Sequence, residues 1–277
     1  LFGAVAVVLA TAGGLLQWSP WIGSRLLHTV MEVAGTTIAM IVGLAAFMRY
    51  YSRKNNTHLF IATGFVGTAL LDGYHAVVTS DLLSYVMPSP PPSLIPWSWN
   101  ASRTFLSVLM VLSWWTWRRE SRLGELGRSA ERTVFATVAI LTVGTFLFFA
   151  LVPLPEAYFD GLFGRPQELL PGVLFGVALI GYLNKQSWQN DPFELWVVLS
   201  LIIGLMSQTV AMSRSFSLYD AMFDFAHLLK IISYFCVLIG LLSSMRLLFE
   251  KVESTSLELA EMIENWPCGL LLFDSAG

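Results

Sequence analysis

Seven ionisable side chains stand inside stretches that are otherwise apolar: His28, Glu32, Asp72, His75, Arg103, His227 and Lys230. A charge at the centre of a membrane helix costs on the order of 3 kcal/mol on insertion scales, so such residues are functional candidates by default. Their spacing groups them. His28 and Glu32 are four apart, Asp72 and His75 three apart, and His227 and Lys230 three apart; residues at these separations share one helical face. Three histidines and two carboxylates are good ligands for zinc, copper or iron. Glu32 or Asp72 could ligate directly or orient a ligating histidine from behind. Two facing histidines could instead hold haem b through its iron. Arg103 and Lys230 would balance carboxylate charge or bind an anionic ligand. The competing reading is a neutralised salt-bridge cluster that fixes helix packing.

The elements that must position these groups follow from composition. The 277 residues are 55% hydrophobic and only 13% charged, against about 25% charged in soluble domains, and the mean hydropathy is +0.65. A hydrocarbon core of about 30 Å needs about 20 apolar residues in helical form. Several such runs recur, unbroken rather than alternating, which argues for helices over a membrane barrel. The expected fold is an all-α polytopic membrane bundle of about eight transmembrane helices, at roughly 1–17, 24–50, 57–80, 98–117, 133–152, 169–185, 192–212 and 221–247. The first run opens at Leu1 without a Met and without a basic segment before it, and reads as a truncated N-terminus rather than a signal peptide. Cys236 and Cys268 do not suggest a disulfide framework.

Orientation follows from Lys and Arg in the loops. With the C-terminus inside, eleven basic residues fall in inner segments (Arg49, Arg53, Lys54, Arg118, Arg119, Arg122, Arg128, Arg132, Lys185, Arg246, Lys251) and three in outer ones (Arg25, Arg165, Arg214). This topology puts all seven ionisable residues at similar depth in the outer half of the bilayer, as a single polar cluster. Glu168, Gln208 and Asp224 are expected at the outer rim, and His58, beside Asn55 and Asn56, in solvent. Pro88, Pro90, Pro91, Pro92 and Pro96 predict a stiff, extended outer loop over 81–97. Trp18, Trp21, Trp97 and Trp99 read as interfacial anchors. Beyond Met245 the composition turns polar, and Met245, Leu248, Val252, Thr255, Leu259 and Met262 alternate spacings of three and four. This seam fits a parallel homodimer through a signalling helix, or an ordinary amphipathic helix.

At these residues the chain resembles a known family, the third type of bacterial membrane-associated sensor domain (the MASE group). The matching pieces are His28-Thr29-Val30-Met31-Glu32, Leu71-Asp72-Gly73-Tyr74-His75, Ser102-Arg103 and His227-Leu228-Leu229-Lys230-Ile231-Ile232-Ser233-Tyr234. That family tends to carry a glutamate a few residues after the arginine, where this chain has Leu106. The resemblance implies a sensory input joined to cytoplasmic signalling modules such as histidine kinases or diguanylate cyclases, in a bacterial inner membrane. The stretch from Leu257 to Gly277 looks like the opening of a PAS domain, which implies an output domain beyond this sequence. The domain reading is therefore 1–247 transmembrane sensor, 248–264 signalling helix or coiled coil, and 265–277 the start of a PAS domain.

The leading expectation is a sensor that binds a metal ion, cofactor or small ligand in the outer half of the bundle and transmits through the eighth helix. The sensor region itself is not expected to be catalytic, and nothing points to nucleic acid. The alternative is an intramembrane metal-dependent hydrolase with Glu32 as base. A transporter or channel ranks last, since broken helices and repeat symmetry are not evident.

Overall fold

The computed structural model describes residues 1–80 and 83–264. Among them are eight α-helices: α1 (Phe2–Leu16), α2 (Arg25–Ser52), α3 (Asn56–Thr79), α4 (Pro91–Leu123), α5 (Glu131–Leu151), α6 (Leu169–Lys185), α7 (Pro192–Met206) and α8 (Ala221–Glu264). No strand occurs among the described residues, and one isolated bridge joins Ile22 to Asp220. The chain is an all-α polytopic bundle.

Short polar side chains start several helices by taking up free N–H groups of the first turn. Ser24 Oγ accepts from Leu27 N at 3.1 Å, Asn55 Oδ1 from His58 N at 2.9 Å and Asp191 Oδ1 from Phe193 N at 2.9 Å. The proline stretch corrects the expectation of an extended loop. Pro90 caps α4, and Pro91 and Pro92 form its first turn. Proline lacks only an N–H that has no helical partner there, and its fixed φ already suits a helix. The expected span 98–117 is thus a 33-residue helix that takes in Trp97 and Pro96.

Among the described residues six helices are long and apolar enough to cross a membrane: α2, α3, α5, α6 with the turn before it (Pro166–Lys185), α7 with its continuation to Arg214, and α8. The protein is therefore a multi-pass membrane protein whose outer surface meets lipid. Against the expected eight spans, α1 is too short and α4 too polar to qualify by composition. The reason lies in where α4 sits: it packs between α3 and α6 and buries Ser98, Asn100, Ser102, Arg103, Ser107 and Ser113 against protein. In lipid an apolar side chain gains little by turning inward, so an interior helix is free to be polar. α5 is the converse, with only 11% of its apolar window buried against 72% in α3.

Close packing joins α2 to α3, where a Cβ at Gly43 would lie 2.6 Å from Val66 Cγ2. α7 continues through a π turn (Ser207–Ala211) and a 3₁₀ turn (Met212–Arg214). α8 runs unbroken past 247, and its residues from Phe249 to Ile263 are exposed. The PAS-like stretch 265–277 lies outside the described residues.

Candidate functional site

All seven expected residues converge. α2 brings His28 and Glu32, α3 brings Asp72 and His75, α4 brings Arg103, and α8 brings His227 and Lys230; each is 0–2% exposed. They form two touching groups. The first is His28, Glu32, His75 and His227, with one potential ligand atom from each lying within 4.8 Å of all the others. This group could hold a metal ion. The second is Asp72 with Arg103, whose Nη2 donates to Oδ1 and Oδ2 at 2.9 and 3.0 Å. Lys230 joins the two: its Nζ donates to Glu32 Oε1 and Oε2 at 2.6 and 2.7 Å and lies 3.7 Å from Asp72 Oδ2. Asp72, expected as a possible ligand, stands outside the group of four, with its oxygens taken by Arg103, Ser102 Oγ (2.5 Å) and Tyr234 Oη (3.1 Å).

The imidazole protons can be placed from their partners. His227 Nδ1 lies 2.7 Å from the Phe223 carbonyl, which only accepts, so Nδ1 carries the proton. Ser98 Oγ donates to the Leu94 carbonyl at 2.6 Å and is left to accept from His75 Nδ1, also at 2.6 Å. Both rings thus turn an Nε2 lone pair inward when neutral. These are the facing contacts: His227 Nε2 lies 3.0 Å from Glu32 Oε1, and His28 Nε2 lies 3.1 Å from His75 Nε2. His227 Nε2 makes no protein hydrogen bond, although Glu32 Oε1 lies 3.0 Å away. Glu32 has the Lys230 ammonium as its cation; the His227 lone pair has none. Tying the far imidazole nitrogen to a carbonyl or hydroxyl is also how ligating histidines are usually oriented. Zinc bonds of about 2.0–2.1 Å place tetrahedral ligand atoms about 3.3 Å apart, comparable to the 3.0 and 3.1 Å contacts here.

Aromatic rings seal the cluster. Trp99 and Phe223 lie over His227, with ring centroids 4.2 and 4.3 Å away, and Trp99 also faces Lys230 and Arg103 at 4.8 and 5.2 Å. Toward the start of α2 Tyr219, held at φ +66°, lies 5.8 Å from the His28 ring, and its carbonyl accepts from Gly23 N at 2.7 Å. Gly35 gives Lys230 its passage, since a Cβ there would meet Lys230 Cε at 3.1 Å.

Several expectations need correction. His58 is 9% exposed rather than solvated: its ring stacks on Phe193 at 5.0 Å. Glu168 and Gln208 are 0% and 1% exposed and Asp224 9%, so none is a rim residue. Glu168 is ion-paired to Arg165, itself fully buried, because the segment before α6 folds back over the bundle. Asp224 accepts from Trp21 Nε1 at 2.8 Å. Trp99, expected as an interfacial anchor, is 1% exposed and belongs to the cluster. Ser98, Ser102 and Tyr234 were not singled out as site residues. Tyr234 was legible, being four residues after Lys230 on the same face; Ser98 has no spacing signal.

Fold and site together define a multi-pass helical membrane protein with a sealed cluster of charged and imidazole groups between its helices. Residues 24–245 match the MASE3 family model, a membrane-associated sensor domain, and the chain belongs to that family. Its role is accordingly sensory input at a membrane. No curated protein matches the chain.

Proposed function

We propose that this chain is the transmembrane input domain of a bacterial signalling protein, of the histidine kinase or diguanylate cyclase type, and that its input is occupancy of a transition-metal site made by His28, Glu32, His75 and His227. The observation that carries this reading is the convergence of these four residues, one potential ligand atom from each within 4.8 Å of all the others, with the His227 Nε2 lone pair left without a partner. Zinc, copper and iron all suit imidazole. A single ion is favoured over haem, because His28 and His75 stand edge to face with nitrogens 3.1 Å apart, leaving no cleft of porphyrin width between them. Burial of all four groups to 0–1% exposure argues against the hydrolase alternative, which needs a path for substrate.

In the metal-free state Lys230 serves as the cation on Glu32. A divalent ion on that carboxylate repels the ammonium, which has Asp72 3.7 Å away as its next partner. Lys230 lies on α8, so the exchange pulls differently on that helix in the two states, as transmission requires; helix shifts of about 1–2 Å are a known mode. The excess of basic residues at the end from which α8 emerges supports a cytoplasmic C-terminus in the inner membrane. Val252, Leu259 and Met262, 53–59% exposed, would close against a second copy in a parallel homodimer. A following PAS domain would continue the relay.

The test is elemental analysis with an absorbance spectrum on detergent-purified wild type and His75→Ala. A stoichiometric metal in the wild type, lost in the variant, is expected. Absence of metal after growth and reconstitution with zinc, copper and iron in turn would overturn the reading.

A further inference from the structure

A second polar site lies at the opposite end of the bundle, where α8 emerges. A cavity of about 340 Å³ is lined there by the end of α2 (Arg49, Arg53), the start of α3 (Asn55, Thr57, His58), and residues of α4, α6 and α7. A second cavity of about 240 Å³ shares Arg49, Arg53 and Asp191 with it and reaches Ser244 and Lys251 of α8. The two lie on either side of Arg49, Arg53 and Asp191 and together make a polar recess between α2 and α8.

The acidic groups around this recess are mostly engaged. Glu194 is held by Lys185 and Ser187. Glu120 accepts from Arg128 Nε at 3.1 Å and from Asn56 N at 2.8 Å. Asp191 caps α7 through Oδ1. Among the described residues Arg49 and Arg53 join no ion pair, and Arg49 Nε and Nη1 are buried without a hydrogen-bond partner. His58 Nε2, at 9% residue exposure, is also unpartnered. Its Nδ1 lies 2.8 Å from Asn55 Oδ1, an acceptor, so the proton sits on Nδ1 and Nε2 offers a lone pair to a P–OH or a bridging water. Asp191 is the carboxylate that lines the recess beside them, outside ion-pair distance; two adjacent guanidinium groups with Lys251 nearby leave an excess of positive charge that an anion would meet. Their planar forks suit the oxygens of phosphate.

We propose that this recess binds a phosphate group, carried either by an anionic phospholipid headgroup of the inner leaflet or by a soluble phosphate. Basic pockets between membrane helices are a known seat for such headgroups. Its occupant touches both Arg49 and Arg53 of α2 and Lys251 of α8, and so bridges the two helices where α8 leaves the bundle.

Two arms test this and separate the sources. Detergent-purified protein is dialysed against inorganic phosphate, and parallel samples are placed in phosphatidylcholine nanodiscs with or without phosphatidylglycerol and assayed for retained lipid by native mass spectrometry. Wild type is expected to bind in at least one arm, with Arg49→Gln at least ten-fold weaker. Arg53→Gln, at an exposed side chain, guards against misfolding of the first variant and is expected to weaken binding in the same direction. Saturable binding of phosphate assigns a soluble ligand. Selective retention of phosphatidylglycerol assigns a headgroup. No binding in either arm, or equal binding by wild type and both variants, overturns the proposal.

Discussion

The two ends of the bundle handle charge in opposite ways. In the histidine cluster every full charge has a partner in contact: Glu32 with Lys230 and Asp72 with Arg103. What remains unsatisfied there is two neutral imidazole nitrogens, His28 Nδ1 and His227 Nε2, and one N–H of the already paired Arg103 guanidinium. At the opposite end Arg49 and Arg53 carry full charges with no carboxylate in contact among the described residues. The difference is desolvation. An unpaired ion sealed among helices costs several kcal/mol, whereas one that opens to water and headgroups does not. Unmet need therefore has a different meaning at each end: bare lone pairs call for a cation, and bare guanidinium groups call for an anion.

The largest effect should come from breaking a sealed pair. Arg103→Met removes the partner of Asp72 in a site 2% exposed or less, and such a loss costs about 3–5 kcal/mol. Lys54→Ala at the opposite end removes a partner of Glu131 (2.8 Å) that is 43% exposed, and should leave stability unchanged. Unfolding in mixed detergent, followed by circular dichroism, measures both. Equal effects of the two substitutions would mean that the histidine cluster is wetter than its packing implies.

Next in size is the competition between lysine and metal. Lys230→Met leaves Glu32 unpaired in the metal-free protein, which should melt at a lower temperature. The same change frees the carboxylate for an ion, so metal affinity should rise at least ten-fold, about 1.4 kcal/mol, and metal should restore the melting temperature by binding the folded state. Titration calorimetry and thermal melts with and without zinc read both effects. A weaker or unchanged metal affinity would make Lys230 a structural strut and not the cation that the metal displaces.

Much of this cluster was legible because helical spacing carries it. His28 with Glu32, Asp72 with His75, and His227 with Lys230 are spaced to share helical faces, and those faces meet in the fold. The helix expected over 98–117 is present as α4, and it is more polar than a lipid-facing span for a physical reason: Ser98, Ser102 and Arg103 are buried against protein. His58, Glu168 and Asp224 were misjudged because a position near a helix end was taken to be wet, while Phe193, Arg165 and Trp21 cover them. The departure at Leu106 is also clear in the fold. Leu106 is 3% exposed within the apolar core beside Ala62 and Phe65, where a glutamate would need its own partner. What fixes the imidazole tautomers, a Ser98 hydroxyl and the Phe223 carbonyl, leaves no trace in residue spacing.

The smallest effect on metal affinity probes the seam between the two groups of the histidine cluster. Tyr234 donates to Asp72 Oδ2 at 3.1 Å, while Ser102 and Arg103 hold the other contacts. Tyr234→Phe keeps the ring and its packing on Phe65 and removes one hydrogen bond to a carboxylate, worth about 1.5–3 kcal/mol. Oδ2 is also the atom nearest Lys230, so the loss leaves it more available to the ammonium. If metal drives Lys230 toward Asp72, Tyr234→Phe should raise metal affinity a few-fold even as it lowers stability. A variant that loses stability with no change in metal affinity would confine Tyr234 to packing and uncouple Asp72 from the metal site.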